Sequence, residues 1–363
     1  MTAASLNLAT LGSCPVPAAR TECIMVAHGG GGQMSAELLR SVFLPAFSNP
    51  VLDALEDQAV LAPREPGLTP DESMARVAVT TDSFVVRPLF FPGGDIGSLA
   101  VHGTVNDLAV GGATPLALAA AFILEEGLAL DDLRRVVASM RRACDEAGVT
   151  LVTGDTKVVD RGKADGLYIT TTGIGVVPGG RCLSIRSARP GDHVIVSGPV
   201  GDHGMAIMSV REGLEFETVL QSDSAPLAGL AGAMLGACPS IRCMRDPTRG
   251  GLSSALNELA GASNVGVVLD ESAIPVRPAT RGACEMLGLD PVHVACEGRL
   301  IAVVPPGESG AALRTMRAHP HGRDAALIGR VTADHPGMVV MKSVVGGERI
   351  VTLLSGEQLP RIC

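Results

Sequence analysis

The chain has 363 residues, a formal net charge of −9 and 46% hydrophobic residues. This length suggests two domains of ordinary size, each able to bury a core. The acidic charge argues against a nucleic-acid partner held by bulk electrostatics, and 2% aromatic residues are too few for base-stacking platforms. The sequence also contains no apolar run of the roughly 18 residues needed to cross a membrane.

The cysteine pattern predicts the redox compartment. Nine cysteines form no CxxC pair, and the nearest two are Cys238 and Cys243. An odd number without metal-ligand spacing indicates reduced thiols and argues against a disulfide framework or a zinc finger. We therefore expect a cytoplasmic protein.

The first predicted feature in chain order is a glycine run. Residues 1–50 contain His28-Gly29-Gly30-Gly31-Gly32. Consecutive backbone N–H groups in such a run can bind phosphate oxygens, and a flexible loop is an equally good interpretation. The run is not a Walker A sequence, because no Gly-Lys-Ser/Thr follows it.

Residues 51–185 have the mixed pattern of an α/β or α+β domain. Val77–Thr81 and Phe84–Val86 predict one strand that is interrupted at Asp82 and Ser83. Further strands are predicted at 115–124, 151–159 and 168–177, and helices at 100–108 and 131–146. The last helix carries apolar residues at i, i+3, i+4 and i+7 spacing, with arginines on its other face.

A polar, turn-forming segment at 186–192 marks the predicted boundary of a second domain, 186–345. This domain repeats the alternation, with strands at 193–197, 265–270, 299–304, 327–331 and 338–344 and helices at 226–238, 252–262, 280–287 and 310–318. Residues 346–363 predict a flexible tail that ends in Cys363. Such a cysteine is either a reactive thiol that visits more than one site or part of a frayed terminus.

Aspartates recur at turns and strand ends, and one falls within a helix. Each of them alone is more often a helix cap or turn residue. The exception is Asp107, which lies in a small-residue, otherwise apolar helix where an unpaired charge would be costly to bury. Magnesium prefers oxygen ligands, so the set predicts a magnesium and nucleotide site. Its members are Asp57, Asp82, Asp95, Asp107, Asp155 and Asp246.

Four further residues are candidates for chemistry. Arg249, beside two glycines and a helix start, is a second anion site or an ordinary capped turn. Lys157 is able to stabilise phosphate charge and Glu297 to act as a base, although a surface salt bridge explains either residue alone. His203 is structural or catalytic.

Several of these segments together resemble a known family. The carriers of the resemblance are Asp82–Gly97, Gly103–Ala109, Gly154–Lys157, Asp246–Leu252 and the final Pro360-Arg361-Ile362-Cys363. The chain is similar along about residues 20–363 to the HypE family of hydrogenase-maturation carbamoyl dehydratases, within the aminoimidazole ribonucleotide synthetase-like superfamily.

The resemblance implies a fold and a reaction. An N-terminal domain binds ATP with Mg²⁺ and dimerises through its strands, a C-terminal α/β domain packs against it, and a mobile tail carries Cys363. A carbamoyltransferase, HypF, places a carbamoyl group on this thiol. ATP-dependent dehydration then gives an S-cyanate, and the cyano group passes to iron on a HypC–HypD scaffold as a ligand for nickel–iron hydrogenase.

The resemblance also assigns residues to this reaction. Cys363 carries the substrate, Lys157 stabilises phosphate and Glu297 removes a proton from the carboxamide nitrogen. The expected metal ligands are Asp57, Asp82, Asp107, Asp155 and Asp246. The expected nucleotide contacts are Gly29, Gly30, Gly31, Gly32, Asp82, Asn106, Thr156, Lys157 and Arg249.

Three alternatives stay open from the sequence. A selenophosphate synthetase is weakened because a catalytic Cys-Gly-Lys loop is missing: Cys23 is followed by Ile24-Met25. A thiamin-phosphate kinase would not need the thiol. A non-catalytic carrier would use Cys363 only to shuttle a group.

Overall fold

The computed structural model describes residues 23–61, 74–213, 220–354, 356, 359 and 361–363. Residues 1–22 of the first predicted segment, and Pro360 of the final motif, lie outside this range. The described residues form two α/β units, each built on its own sheet.

The first sheet has five strands in the order β1-β2-β7-β5-β6. Strands β5 and β6 run parallel, and the other neighbours are antiparallel. Strand β6 therefore forms one edge of the sheet. The strands are β1 (Ala59–Leu61), β2 (Arg76–Phe84), β5 (Thr114–Glu125), β6 (Thr150–Val159) and β7 (Leu167–Val177), and a short β3–β4 hairpin (Phe90–Phe91, Gly94–Asp95) lies outside this sheet.

Two helices pack against this sheet and against each other, α3 (Ile96–Val110) and α4 (Leu130–Ala147). Small residues let α3 approach the sheet closely: a Cβ at Gly103 would lie only 2.9 Å from the Phe84 ring. Asp95 caps α3 by accepting hydrogen bonds from the N–H groups of Gly97 and Ser98 at 2.8 and 3.1 Å.

The second sheet has seven strands in the order β14-β13-β10-β12-β8-β11-β9. Its central strands are buried and read as continuous apolar runs, as in Ile301–Val304. The strands are β8 (His193–Val196), β9 (Cys243–Arg245), β10 (Gly266–Asp270), β11 (Ile301–Val304), β12 (Ala326–Thr332), β13 (Val339–Lys342) and β14 (Glu348–Val351). The helices of this unit are α5 (Asp202–Arg211), α6 (Ala228–Ala237), α7 (Gly251–Ser263), α8 (Pro278–Leu287) and α9 (Pro306–Ala318).

The segment that contains the glycine run packs on this second unit. Short helical pieces, α1 (Gln33–Leu38), a π-helical turn (Leu39–Phe43) and α2 (Leu44–Phe47), follow the glycines. The backbone N–H of Gln33 donates to the Leu354 carbonyl at 2.9 Å. The glycine run is thereby held beside the residues that lead into the tail.

Two predicted elements differ in the structure. Asp82 and Ser83 do not interrupt β2, because Ser83 faces outward to the Thr170 hydroxyl at 2.9 Å while Asp82 faces inward. Both residues keep backbone partners on β7. The segment predicted as a flexible tail also contains a strand, since Glu348–Val351 forms an edge strand paired with β13.

Candidate active site

Three carboxylates meet between the two units. The side chains of Asp57, Asp107 and Asp246 each offer an oxygen, and these atoms lie within 4.8 Å of one another. Asp57 precedes β1, Asp107 lies on α3 and Asp246 follows β9. The sequence prediction that these distant aspartates share one site is consistent with this geometry.

Strand β2 holds part of this cluster in place. Thr80 lies on its inward face and its hydroxyl is 2.8 Å from Asp107 Oδ2 and 3.0 Å from the Asp57 carbonyl. Asp82 is two residues further along and so lies on the same face. The period-two alternation of a strand thus adds a fourth carboxylate beside the three.

Burial and mutual repulsion give the cluster an unusual protonation state. Burial is the main cause that raises the pKa of Asp57 to about 8 and that of Asp246 to about 6. The pKa of Asp107 is raised well above its usual range by burial and by Asp246, Asp57 and Asp82. Carboxyl groups that are hard to ionise side by side become a strong site for a divalent cation, which supplies the missing positive charge.

Two arginines border these acids. Arg245 lies 3.1 Å from Asp57 Oδ1 and 2.6 Å from Glu258 Oε2. Arg249 interacts electrostatically with Cys363, Asp82 and Glu297, which raise the pKa of its guanidinium. Arg249 therefore connects the carboxylate cluster with the thiol.

Glu297 lies at the same junction and is 2% exposed. Its Oε1 atom has no hydrogen-bond partner among the described residues. Burial, followed by Asp246 and Asp82, raises the pKa of Glu297 well above its usual range. A buried, unpartnered carboxyl group whose pKa is raised is typical of a group that handles protons.

The last residues of the chain enter the cleft. Backbone N–H groups of Val85 and Arg87 donate to the carbonyls of Cys363 and Arg361 at 3.0 and 3.4 Å. Ile362 is 5% exposed and packs in the core of the first unit. These contacts resemble the addition of a short strand to the chain beyond β2.

His203 anchors the same segment. Its Nε2 donates to the Ile362 carbonyl at 2.9 Å, so the neutral ring accepts at Nδ1 from the Ser222 hydroxyl, 2.7 Å away. Burial lowers the pKa of the imidazole, which favours this neutral form. His203 therefore has a structural role in holding the docked tail.

Cys363 is half-buried and lines a cavity of about 320 Å³. Gly29, Gly30, Arg249 and Ser83 line the same cavity. Burial and the Glu297 carboxyl raise the pKa of the Cys363 thiol, whereas Arg249 lowers it. Arg249, and not the neighbouring Arg361, is thus the cation that acts on the thiol.

Within the glycine run, Gly29 and Gly30 border the cavity, and Gly31 and Gly32 fix the run against the second unit. The Gly31 carbonyl accepts from the Ser254 hydroxyl at 3.1 Å. A Cβ at Gly31, which has φ +74°, would lie 2.8 Å from Arg249 Cβ. Close packing on Arg249 requires glycine there.

Three predicted site residues lie away from the cleft in this single chain, and a fourth, Asn106, lies beside it, where its Nδ2 donates to the Glu297 carbonyl at 3.3 Å. Asp155, Thr156 and Lys157 lie on the exposed edge strand β6, where Lys157 Nζ is 2.7 Å from Asp155 Oδ1. Asn106 is buried, and its side chain binds the backbone of residues 225–227. Its Oδ1 accepts from the Leu227 N–H at 2.8 Å, and its Nδ2 donates to the Ala225 carbonyl at 3.1 Å. None of the four lines the cavity among the described residues.

Sequence reasoning missed Arg245, Asp223 and Asp165. Asp223 accepts from the Glu297 backbone N–H at 3.0 Å and lies 3.4 Å from Arg299. Asp223 and Asp165 stand alone among ordinary neighbours in the sequence. Only the closeness of Arg245 to the conspicuous Asp246 gave a signal that could have been used.

Comparison with known proteins places the chain in a family. Models of the AIR synthase related protein family match residues 55–177 (N-terminal domain) and 189–342 (C-terminal domain). The carbamoyl dehydratase HypE of Azotobacter vinelandii is 56% identical over 344 residues, which is 95% of this chain and 98% of that protein. The chain belongs to the HypE family of carbamoyl dehydratases.

Solved HypE structures agree with the fold. A HypE–HypF complex contains a chain with a TM-score of 0.80 and 45% identity, covering 87% of this chain and 99% of that one. HypE in complex with ATP gives a TM-score of 0.77 at 48% identity, covering 93% and 98%. The predicted two-domain fold and HypE family are therefore confirmed. Among the described residues, no helix combines the length and apolar character that a membrane crossing requires.

Proposed function

We propose that this chain uses ATP to dehydrate an S-carbamoyl group carried by its own Cys363 to an S-cyanate. One observation carries the proposal: Cys363 is held inside the cleft, with Arg249 and Glu297 acting on its thiol and the carboxylate cluster acting on both of them. A thiol in this place is positioned as the carrier of a substrate that reacts within its own enzyme.

The reaction divides into two steps. In the first, the carboxamide oxygen attacks the γ-phosphorus of ATP, ADP leaves, and the nitrogen loses one proton to give a phosphorylated imidate. In the second, the remaining N–H proton is removed, the C–O bond breaks with its electrons leaving on phosphate, and S–C≡N remains. Phosphorylation is needed because an unmodified amide oxygen is a poor leaving group.

Glu297 is our candidate for proton removal. Its raised pKa makes the ionised carboxylate a stronger base than an exposed glutamate, and its free Oε1 has lone pairs available for an N–H group. Arg249 supports phosphate charge at the same place, because its guanidinium already faces the thiol and Asp82.

The carboxylate cluster fits Mg²⁺. Asp57, Asp107 and Asp246 provide three oxygens that lie within 4.8 Å of one another. Asp82 lies on β2, on the same face as Thr80, which contacts Asp107. When bound, the ion would neutralise triphosphate charge and help to orient the nucleotide. The chain's own contribution is to hold four acids close together, where the repulsion that remains beside Arg245 and Arg249 would favour a bound cation.

In this proposal, Lys157 acts on the cleft of the other subunit of a homodimer. Strand β6 has an exposed edge, and Val152 and Val158 on it are 60% and 67% exposed. Unpaired edge strands with apolar side chains favour pairing with another chain. Lys157 is exposed on this strand and does not line the cavity that contains Cys363, so in this proposal it reaches a thiol from the second copy of a dimer.

The partners follow from the same chemistry. The solved HypE–HypF complex supports a HypF-type carbamoyltransferase as the donor. A HypC–HypD scaffold is the proposed acceptor of the cyano group. Both exchanges need Cys363 outside the cleft, so the docked tail is one of at least two positions.

The test follows the mass of the peptide that contains Cys363 during incubation with the carbamoyltransferase, carbamoyl phosphate and ATP. We expect a gain of one carbamoyl group and then the loss of one water, with one ADP formed per dehydration. Cys363→Ala should abolish both changes while nucleotide binding persists. Carbamoylation that is unchanged in Cys363→Ala, or ATP turnover that is absent in every state of the thiol, would overturn the proposal, the latter in favour of a passive carrier.

A further inference from the structure

Arg361 enters a pocket made by the N-terminal unit. Its Nε and one terminal nitrogen donate to the Val85 carbonyl at 3.1 and 3.0 Å. The other terminal nitrogen pairs with the Asp165 carboxylate. The guanidinium also lies 5.7 Å from the ring centroid of Tyr168. All three guanidinium nitrogens of Arg361 have a partner. Such complete pairing is unusual at a frayed chain end, so these contacts indicate recognition.

Asp165 is itself fixed by neighbours. It lies in the loop between β6 and β7, where Oδ2 accepts from the Tyr168 hydroxyl at 3.3 Å. Oδ1 is 3.2 Å from Arg87. The carboxylate is 29% exposed, and its pKa lies below its usual range because Arg361 and Arg87 outweigh its partial burial. The pocket is therefore charged, and the residues that contact the Arg361 guanidinium, Val85, Asp165 and Tyr168, all belong to one unit.

The pocket defines the register of the tail. Val85 makes two hydrogen bonds to the tail. The Val85 carbonyl accepts from Arg361, and the Val85 N–H donates to the main-chain oxygen of Cys363 at 3.0 Å. Ile362 lies between them with its side chain in the core. A shift of one residue would break both Val85 contacts and replace Ile362 in the apolar position by Arg361 or Cys363, so only one register satisfies all three residues.

We propose that Asp165 is a positioning residue that captures Arg361 and thereby sets the place of Cys363 in the cleft. The inference rests on the proposed function in one respect, namely that Cys363 carries the substrate. It adds that the same contact has opposite effects on two steps. Capture favours dehydration, which needs the thiol inside, and disfavours carbamoylation, which needs it outside.

The experiment compares Asp165→Asn with Asp160→Asn in the full chain. Asp160 lies in the same β6–β7 loop, is exposed, and has no side-chain partner among the described residues, so it is a matched control. Arg361→Ala removes the other half of the contact without altering the folded unit, and Arg361→Lys keeps the charge without the fork that spans Val85 and Asp165.

Three rates are measured for each variant. The first is alkylation of Cys363 by iodoacetamide, followed on the C-terminal peptide that contains Cys363 in each variant. The second is ATP-dependent loss of water from the carbamoylated protein in a single turnover. The third is carbamoylation by the carbamoyltransferase. For Asp165→Asn and Arg361→Ala we expect alkylation to rise and dehydration to fall by about three- to tenfold each, and carbamoylation to become faster because the tail is released. Arg361→Lys should be intermediate and Asp160→Asn equal to the parent.

Equal alkylation and dehydration rates in Asp165→Asn and the parent would overturn the inference. So would a fall of all three rates together in Asp165→Asn and Arg361→Ala, since that pattern reports general damage. Failure of the proposed function looks different. In that case the parent itself does not dehydrate the carbamoyl group, while the alkylation rates still show whether Asp165 captures the tail.

Discussion

The carboxylates of the cleft and those of strand β6 belong to similar sequence motifs but have opposite electrostatic states. Asp57, Asp107 and Asp246 are crowded and partly buried, and their pKa values are raised. Asp155 is exposed, and the hydrogen bond from Lys157 keeps its pKa below its usual range. The cleft thus holds more carboxylates than the two arginines beside them can neutralise, whereas Asp155 on β6 has Lys157 as its own partner. On this difference rest our proposals that a cation binds at the first place and that the second acts only together with another chain.

The largest effect that separates these regions is expected for Asp107→Asn. The change keeps the shape of the side chain and an oxygen that accepts from Thr80, but it removes one carboxylate of the cluster. We expect ATP turnover on the carbamoylated protein to fall by about 100-fold or more, measured as ADP release. The melting temperature should be unchanged or higher, because the change removes like-charge repulsion.

A second cleft variant tests the proposed general base separately from the proposed metal site. Glu297→Gln should lower the same turnover by about 100-fold, within the usual range for loss of a general base, while ATP binding persists. If Glu297→Gln retained full turnover, the base assignment would be wrong. If Asp107→Asn did so at low Mg²⁺ concentration, the cluster would not be the metal site.

How far the sequence predicts such a site depends on what each residue signals locally. Asp107 was identifiable because a charge within an apolar helix demands a reason. Asp95 belongs to the same motif set but caps α3, and no local feature distinguished it. Arg245 and Asp165 gave little or no signal, because their roles arise only when distant segments meet.

The elements follow the same rule. Helix α4 was predictable because one face is apolar and the other carries arginines that are indeed exposed. Helix α5 was missed because its first residues are buried on nearly every side, so no periodicity marks it. Strand β14 was missed because an edge strand of four residues in a glycine-containing stretch resembles a linker.

A mixing experiment tests whether β6 completes the cleft across a dimer. Lys157→Ala alone should lower dehydration by about 10- to 100-fold. If Lys157 acts from the second copy, exchange of subunits between Lys157→Ala and Glu297→Gln proteins creates dimers in which one site is intact. Random exchange should then restore roughly a quarter of the parent activity.

The same mixture has a clear contrary outcome. If activity stays at the level of the two separate variants after subunit exchange has been verified by mass, Lys157 does not act across the interface. A mixture of Lys157→Ala with Lys157→Ala carrying a distinguishing tag is the control, since it exchanges subunits and contains no complete site.

A smaller effect distinguishes the charge states directly. The pKa is raised to about 8 for Asp57 and to about 6 for Asp246 in the native cleft. Without a cation, these carboxyl groups therefore stay protonated at pH values at which the same groups of the unfolded chain are ionised. Unfolding therefore releases protons, and stability falls as pH rises from about 4 to 8. Mg²⁺ replaces those protons, so its stabilisation should be larger at pH 8 than at pH 6, by about 2–5 °C in melting temperature. Equal shifts at both pH values would contradict the raised pKa values, and Asp107→Asn should reduce the difference.

The smallest expected effect belongs to β6 itself. Asp155→Asn removes an exposed partner of Lys157 on a strand whose side chains are nearly all solvated in the single chain. Exposed ion pairs contribute little, so thermal scans of monomeric protein at low concentration should show a change below about 2 °C. At concentrations where a dimer forms, the same substitution should matter more, because the pair would then be covered by the second copy. A melting temperature whose response to Asp155→Asn is the same at every protein concentration would show that β6 stays exposed, and that the cleft works without it.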